Sequence, residues 1–293
     1  MPWTDAQRAF RHAPVLLQKC HEDYARADFI TKINLAGGWD TIVDNWKKPW
    51  EKVGGAYAHK LAAHGYYSVV ESSTHYFLVY AFYHPQDWAE FWGSPARSAM
   101  SRPDQHLHDM EGALAIVPKR PREADERVEA VVTISHHHFY SYAGWQDGRK
   151  KLPGPFHVTG WAENVDGPIL VTDRFAPEPN EPPYRFKLYA ASGGHAIKGE
   201  TKAWGNEDRM VRYRPSLTTG QEPSDTQFSA EPGEKGRFQT IRYRLVNMFS
   251  ANGLWAQREN RKVFQPNDKG QEAFVKRKGG GLVAGSANPP WGW

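Results

Sequence analysis

Two short stretches concentrate side chains able to bind a cation or move a proton: YAFYHPQD, residues 80–87, and HLHDMEG, residues 106–112. Read as the mouth of a strand, the second places Asp109 and Glu111 on one side, because side chains two apart in a strand point the same way. His106 is expected to reach in from the preceding loop. Asp87 follows an aromatic strand that begins near Tyr76, and it adds a third carboxylate if the two strands are neighbours. Three crowded carboxylates repel one another, and a hard divalent cation is the usual reason for such a cluster to persist. Oxygen-rich ligation with one imidazole favours Mg2+, Ca2+ or Mn2+ over structural Zn2+. The plainer reading makes the same residues solvated strand-end groups or ion-pair partners. His108 falls on the opposite strand face and reads as structural.

His195, in ASGGHAIKG, is the next candidate. Its flanking glycines let backbone approach a ligand closely, and the imidazole suits an outer ligand or a general base. A polar loop residue explains it equally well. Asp40 and Asp44, beside Trp39 and Trp46, are placed to line the same rim or simply to form turns. If the chain is an enzyme, His106 and His195 are the catalytic candidates.

Other signals are weaker. In His136–His138 the middle histidine faces away from its neighbours on a strand. HLHD is similar to the H-x-H opening of zinc hydrolases, but the following D-H of H-x-H-x-D-H is absent. The sequence contains no G-x-S-x-G, no phosphate-binding G-x-x-x-x-G-K-[ST] and no G-x-G-x-x-G that opens a helix after a strand. Cys20 reads as a buried small hydrophobe, and KRKGGG as a solvated segment.

The elements that must hold these residues are mostly strands. From Tyr66 onward, YYSVVESS, THYFLVYAFYH, GALAIVP, RVEAVVTISHHHFYSY, FHVTGWAE, PILVTD and RFKLYAAS are runs bounded by Gly, Pro, Asp or Asn, the spacing of a sandwich or barrel. The expected fold is mostly β, a central β-sandwich with flanking helices and long loops. An N-terminal helix is expected over residues 5–27, with Phe10, Leu17, Cys20 and Tyr24 on one face. A second helix is expected near the C-terminus, with Leu245, Met248, Phe249 and Trp255 as its apolar face. APEPNEPP and residues 215–235 read as surface loops.

The 293 residues fit one elaborated domain: residues 1–28 form the N-terminal helix, 29–240 the sandwich core and 241–293 the C-terminal helix and tail. A hydrophobic fraction of 40%, with 12 Trp, supplies a core built largely of rings. The net charge of +4 comes without a basic stripe, so nucleic acid is not an expected partner. A lone cysteine excludes an intrachain disulfide. The sequence has neither a signal-peptide apolar stretch nor a membrane-spanning segment, so a cytoplasmic location is expected, or export without a classical signal peptide.

The residues also carry a family resemblance. HLHDMEG with its preceding Gln105 matches four of the seven positions of GHRHDWE, the heptapeptide of the necrosis- and ethylene-inducing-like proteins; Gln105, Leu107 and Met110 differ. YAFYHPQD resembles the segment upstream of it in that family. DFITKINLAGGWDTIVDNWKKP, YAASGGHAIKG and ANPPWGW resemble the broader vacuolar-protein-sorting-62-like group. The resemblance implies a β-sandwich with a divalent cation at one rim, held at the positions of Asp87, His106, Asp109 and Glu111. In the necrosis-inducing members that site engages a glycosylated sphingolipid head group and damages membranes. The expected function is therefore cation-dependent binding of a polar, glycan or lipid head group. The alternatives are a hydrolase using cation-activated water, in which His106 or His195 moves protons, and a structural domain without metal.

Overall fold

A capping box starts the first helix: Gln7 N–H donates to Thr4 Oγ1 at 3.2 Å and Thr4 N–H to Gln7 Oε1 at 2.9 Å. The computed structural model describes residues 2–22, 25–33, 52–53, 56–57, 60–87, 106–135, 138–146, 167–171, 182, 184–199 and 208–257. The helix, α1, spans Asp5–His12 and stops there. Pro14 pushes the residue before it out of helical geometry, and Ala13 is extended at φ −66, ψ 141.

The expected helix over 5–27 is thus corrected. Val15–Cys20 is a strand, β1, and only the single turn Ala25–Asp28, α2, returns to helix. Val15, Leu16 and Leu17 are all buried. Over so short a run, a strand covered on both faces is indistinguishable by periodicity from a helix segment.

Arg185 closes the other end of α1. Its Nη1 donates to the carbonyls of Phe10, Arg11 and Ala13 at 2.6, 3.3 and 3.1 Å, occupying acceptors that a helix end leaves bare. Its guanidinium also stacks 4.7 Å from the Phe10 ring. An Arg185→Met substitution is expected to lower stability by about 2 kcal/mol, read from the urea midpoint.

Lys52–Val53 (β2) and Ala56–Tyr57 (β3) pair as a separate ribbon. The remaining strands are His64–Glu71 (β4), His75–Asp87 (β5), His106–Pro118 (β6), Ala130–Ser135 (β7), His138–Gln146 (β8), Gly167–Leu170 (β9), Lys187–Ala190 (β10), Ile197–Lys198 (β11), Arg209–Ser216 (β12), Ser229–Ala230 (β13) and Arg237–Asn247 (β14). With β1 they form one mixed sheet, ordered β11-β10-β1-β12-β14-β4-β5-β6-β7-β8-β9, with β13 paired to β14. An antiparallel bridge between Val171, just past β9, and Phe186, just before β10, brings the two ends of the sheet together. The protein is mostly β, as its sequence implies, with a nearly closed, sandwich-like sheet and few helices.

Tyrosines supply much of the core. Tyr66, Tyr80, Tyr213 and Tyr243 are fully buried with Phe29, Phe82 and Phe186. The polar tips of three of them fasten peripheral segments to the sheet: Tyr80 Oη–H donates to Ala9 O, Tyr243 Oη–H donates to Pro14 O, and Tyr66 Oη accepts from Ile33 N–H. Burial pushes all three phenols up. The rings thus provide both volume and specific attachment points.

The C-terminal helix is a second correction. Leu245 belongs to β14, which is followed by a turn and a 3-10 helix over Leu254–Gln257. Leu245 and Met248 are buried, whereas Phe249 and Trp255 are exposed and meet edge to face at 5.9 Å. β-Branched and aromatic residues alternating in FQTIRYRLV favour the strand. RVEAVVTISHHHFYSY supplies two strands, β7 and β8, rather than one. FHVTGWAE, Asp40, Asp44, His136, His137 and KRKGGG lie outside the described residues. Among the described residues no helix is long and apolar enough to cross a membrane.

Candidate functional site

The β5–β6 hairpin ladder organises the site. Its register pairs Phe82 with Glu111, His84 with Asp109, Gln86 with Leu107 and Asp87 with His106. The two strands carrying the candidate ligands are therefore neighbours, as the sequence reading required. His106 does not lie in a loop: it opens β6, because β5 continues as far as Asp87 and supplies it with a partner. The side chains of Asp87, His106, His108 and His138 lie outside the described residues.

Asp109 and Glu111 are buried, at 0% and 1% exposure. Strand alternation sets both on one face, together with His84 across the ladder. Deep burial removes the solvated strand-end reading for this pair.

His195 meets Asp109 from the other side of the fold. It sits in the turn between β10 and β11, where Gly193 takes φ 86 and His195 itself φ 47. A left-handed backbone is uncommon for a non-glycine residue, and surrounding contacts must hold it. Here two carboxylates do so. His195 Nδ1 lies 2.7 Å from Asp109 Oδ2, and Nε2 lies 3.2 Å from Asp28 Oδ1. Burial opposes protonation of the ring, but the hydrogen bonds and negative charges of Asp109 and Asp28 outweigh it and push the pKa up to about 9. His195 is thus an imidazolium at neutral pH, donating from both nitrogens.

Asp28 is the second anchor. Besides His195, it accepts from His21 N–H at 2.8 Å, Ser192 Oγ–H at 3.1 Å and Gly193 N–H at 2.9 Å. The Asp28 carboxylate therefore fixes the Gly193 turn as well as the imidazolium.

His84 completes the cluster. Its ring lies parallel to His195, 3.7 Å between centroids and 1° between planes. Nδ1–H donates to the Asp28 carbonyl at 3.0 Å. Burial, reinforced by the charged ring beside it, holds its pKa well below the usual range, so His84 is neutral. Its Nε2 and Asp109 Oδ1 are both buried with no hydrogen-bond partner among the described residues.

Asp28 and His84 were not among the residues singled out from sequence. Each nevertheless lies within a quoted stretch, Asp28 opening DFITKINL and His84 inside YAFYHPQD. Cys20, on β1 rather than a helix, is buried, and burial pushes its thiol up, which suits a packing role.

The donor set fits a hard cation in part. Asp109 offers a buried carboxylate oxygen with no hydrogen bond among the described residues, and Glu111 brings a second carboxylate to the same face. Among the described residues alone, no group of three or more His, Cys, Asp or Glu side chains is arranged to hold a metal ion. Asp87 and His106 pair with each other at the end of the ladder, three residues from His84 and Asp109 respectively, an odd offset at which strand alternation turns to the other face.

No protein-family model matches the sequence, and no curated protein is matched. Solved structures similar to the chain include the non-toxic HaNLP3 protein, 16% identical over 69% of this chain and 75% of that one, with a TM-score of 0.32. Another, described as a toxin fold for microbial attack and plant defense, is 12% identical over 82% of this chain and 76% of that one, TM-score 0.33. A third is Necrosis and Ethylene inducing Protein 2 from the causal agent of cocoa's Witches Broom disease, 16% identical over 69% and 70%, TM-score 0.30.

Proposed function

We propose that the chain is a divalent-cation-dependent binding protein of the necrosis-inducing-like and sorting-62-like type, taking a polar or glycosylated head group at the β5–β6 rim. The observation that carries this reading is the divided role of the Asp109 carboxylate: Oδ2 accepts from His195, while Oδ1 is buried without a hydrogen bond among the described residues. Such an oxygen is costly unless a cation or donor meets it. Asp109 and Glu111 would hold Mg2+, Ca2+ or Mn2+ from one face of the ladder, with Asp87 and His106 completing the set only from its end, and the bound cation would supply a Lewis-acidic anchor for ligand oxygens. His195 and Asp28 act as positioning residues that fix the Asp109 carboxylate.

The state of His195 speaks against it as the proton carrier of a hydrolase. A general base needs a free lone pair that can reach the proton it takes. Both His195 nitrogens are engaged, and the side chain is fully buried.

Metal analysis of the purified protein is expected to find about one divalent cation per chain. An Asp109→Asn, Glu111→Gln double variant is expected to lose it, and unchanged content in that variant would remove the assignment. Binding to vesicles bearing glycosylated sphingolipid, measured with and without a chelator, then tests the ligand class. Cation-independent binding would leave the rim without its proposed role.

A further inference from the structure

Away from that rim, α1 borders a small, shallow cleft that opens to solvent. Tyr76 lies beneath Arg8 of α1, with 3.8 Å between guanidinium and ring centroid. The residues lining the cleft include none of the Asp28, His84, Asp109 and His195 cluster, so the cleft is a separate site.

Three arginines line this cleft, of which Arg185 is committed to the terminal carbonyls of α1, leaving Arg11 and Arg127. Arg11 Nη2 donates to Ala124 O at 2.9 Å and Arg127 Nη1 donates to the same oxygen at 2.7 Å, so one carbonyl gathers two cationic heads. Neither arginine has a carboxylate ion partner among the described residues. Arg11 is held in place by the Trp3 ring, 4.7 Å from its guanidinium. Burial, followed by the nearby charge of Arg127, lowers the Arg11 pKa against the opposing charge of Glu126.

The floor of the cleft offers a further polar group. His12 is 6% exposed, and its Nε2 has no hydrogen-bond partner among the described residues. Glu126 also lines the cleft, and its Oε2 lies 3.8 Å from that nitrogen, an ion pair whenever His12 is protonated. Glu126 is also 3.6 Å from Arg8, which offsets its charge. Arg185 already occupies the terminal carbonyls of α1, so the negative end of that helix does not oppose an incoming anion. Tyr184, 48% exposed, forms one wall against which the body of a ligand can lie.

We infer that this cleft is an oxyanion site, in which the guanidiniums of Arg11 and Arg127 clamp a carboxylate or phosphate group above His12 and the rest of the ligand rests on Tyr184. Planar guanidinium forks suit such groups geometrically as well as electrostatically.

Calorimetric titration of the full chain with inorganic phosphate and, separately, acetate, in chloride at constant ionic strength, tests this. At least one anion is expected to bind at about one per chain with a Kd of about 1 mM. Phosphate alone would identify a phosphoryl ligand, and acetate alone a carboxylate. Arg11→Gln and Arg127→Gln should each weaken binding about tenfold, the loss of one charge-assisted contact. The His12 Cε1–H NMR signal of the unsubstituted protein should shift along the same titration, a readout independent of variant folding. Heat no greater than that of chloride for both anions, a static His12 signal, or binding that survives both substitutions would overturn the assignment.

Discussion

Replacing His195 with alanine is expected to destabilise the protein by about 3–5 kcal/mol, the range for removing one partner of a buried ion pair. The cost falls unequally on its two neighbours. Asp28 keeps the His21, Ser192 and Gly193 donors, whereas Asp109 loses the 2.7 Å contact to Oδ2 while Oδ1 has no hydrogen bond among the described residues. Adding Asp109→Asn to the His195→Ala background should therefore recover part of the loss, making the pair strongly non-additive. His195→Asn provides a control, because asparagine tolerates the φ of 47° and removes the charge without worsening backbone strain. Urea unfolding of these proteins, together with the Asp109→Asn single variant that completes the cycle, measures these terms. A His195→Ala midpoint within 1 kcal/mol of the parent value, taken as about the noise of such comparisons, would mean that the triad does not hold the turn.

Stability is expected to peak near pH 6.5 and to fall on both sides. On the alkaline side the cause is His195. Its folded pKa of about 9 lies above the ordinary 6.5, so its contribution is complete below pH 6.5 and disappears as pH rises through about 9. A gap of that size corresponds to about 3 kcal/mol. On the acid side, burial holds His84, His12 and His64 below their usual range. The unfolded chain takes up protons at these positions below pH 6.5 while the folded one resists, so stability drops with acidification. Chemical denaturation at intervals from pH 5 to pH 9 traces both limbs. His195→Asn should flatten the alkaline limb and, by removing the charged ring beside His84, soften the acid limb without abolishing it; an alkaline slope that persists in this variant would assign it to another group.

Much of the sheet was legible in the sequence because its long strands announce themselves locally. THYFLVYAFYH and GALAIVP are rich in residues that fit a pleated surface, and they form the β5–β6 hairpin. Asp109 and Glu111 were legible for the same reason, since a two-residue offset fixes a shared face. β1 was not: VLLQKC is buried along nearly its whole length, and over six residues nothing local separates a doubly covered strand from a helix. β14 was misread because its buried Leu245 and the following Met248 happen to be spaced as on a helix. Asp28 and His84 escaped notice for a different reason. Their chemistry comes from the Gly193 turn, more than 100 residues away in the chain, and no local pattern encodes that meeting.

The position of β1 has a consequence for biosynthesis. Leu16 pairs with Leu188 on one side and Tyr213 on the other, so β1 leaves the ribosome well ahead of both its neighbours and meets them only after some 170 to 200 further residues have been translated. At roughly 5–20 residues per second, that delay is about 10–40 s. Throughout it the Val15-Leu16-Leu17 segment is an unsatisfied, sticky edge, which makes nascent chains of this protein natural clients for holding chaperones.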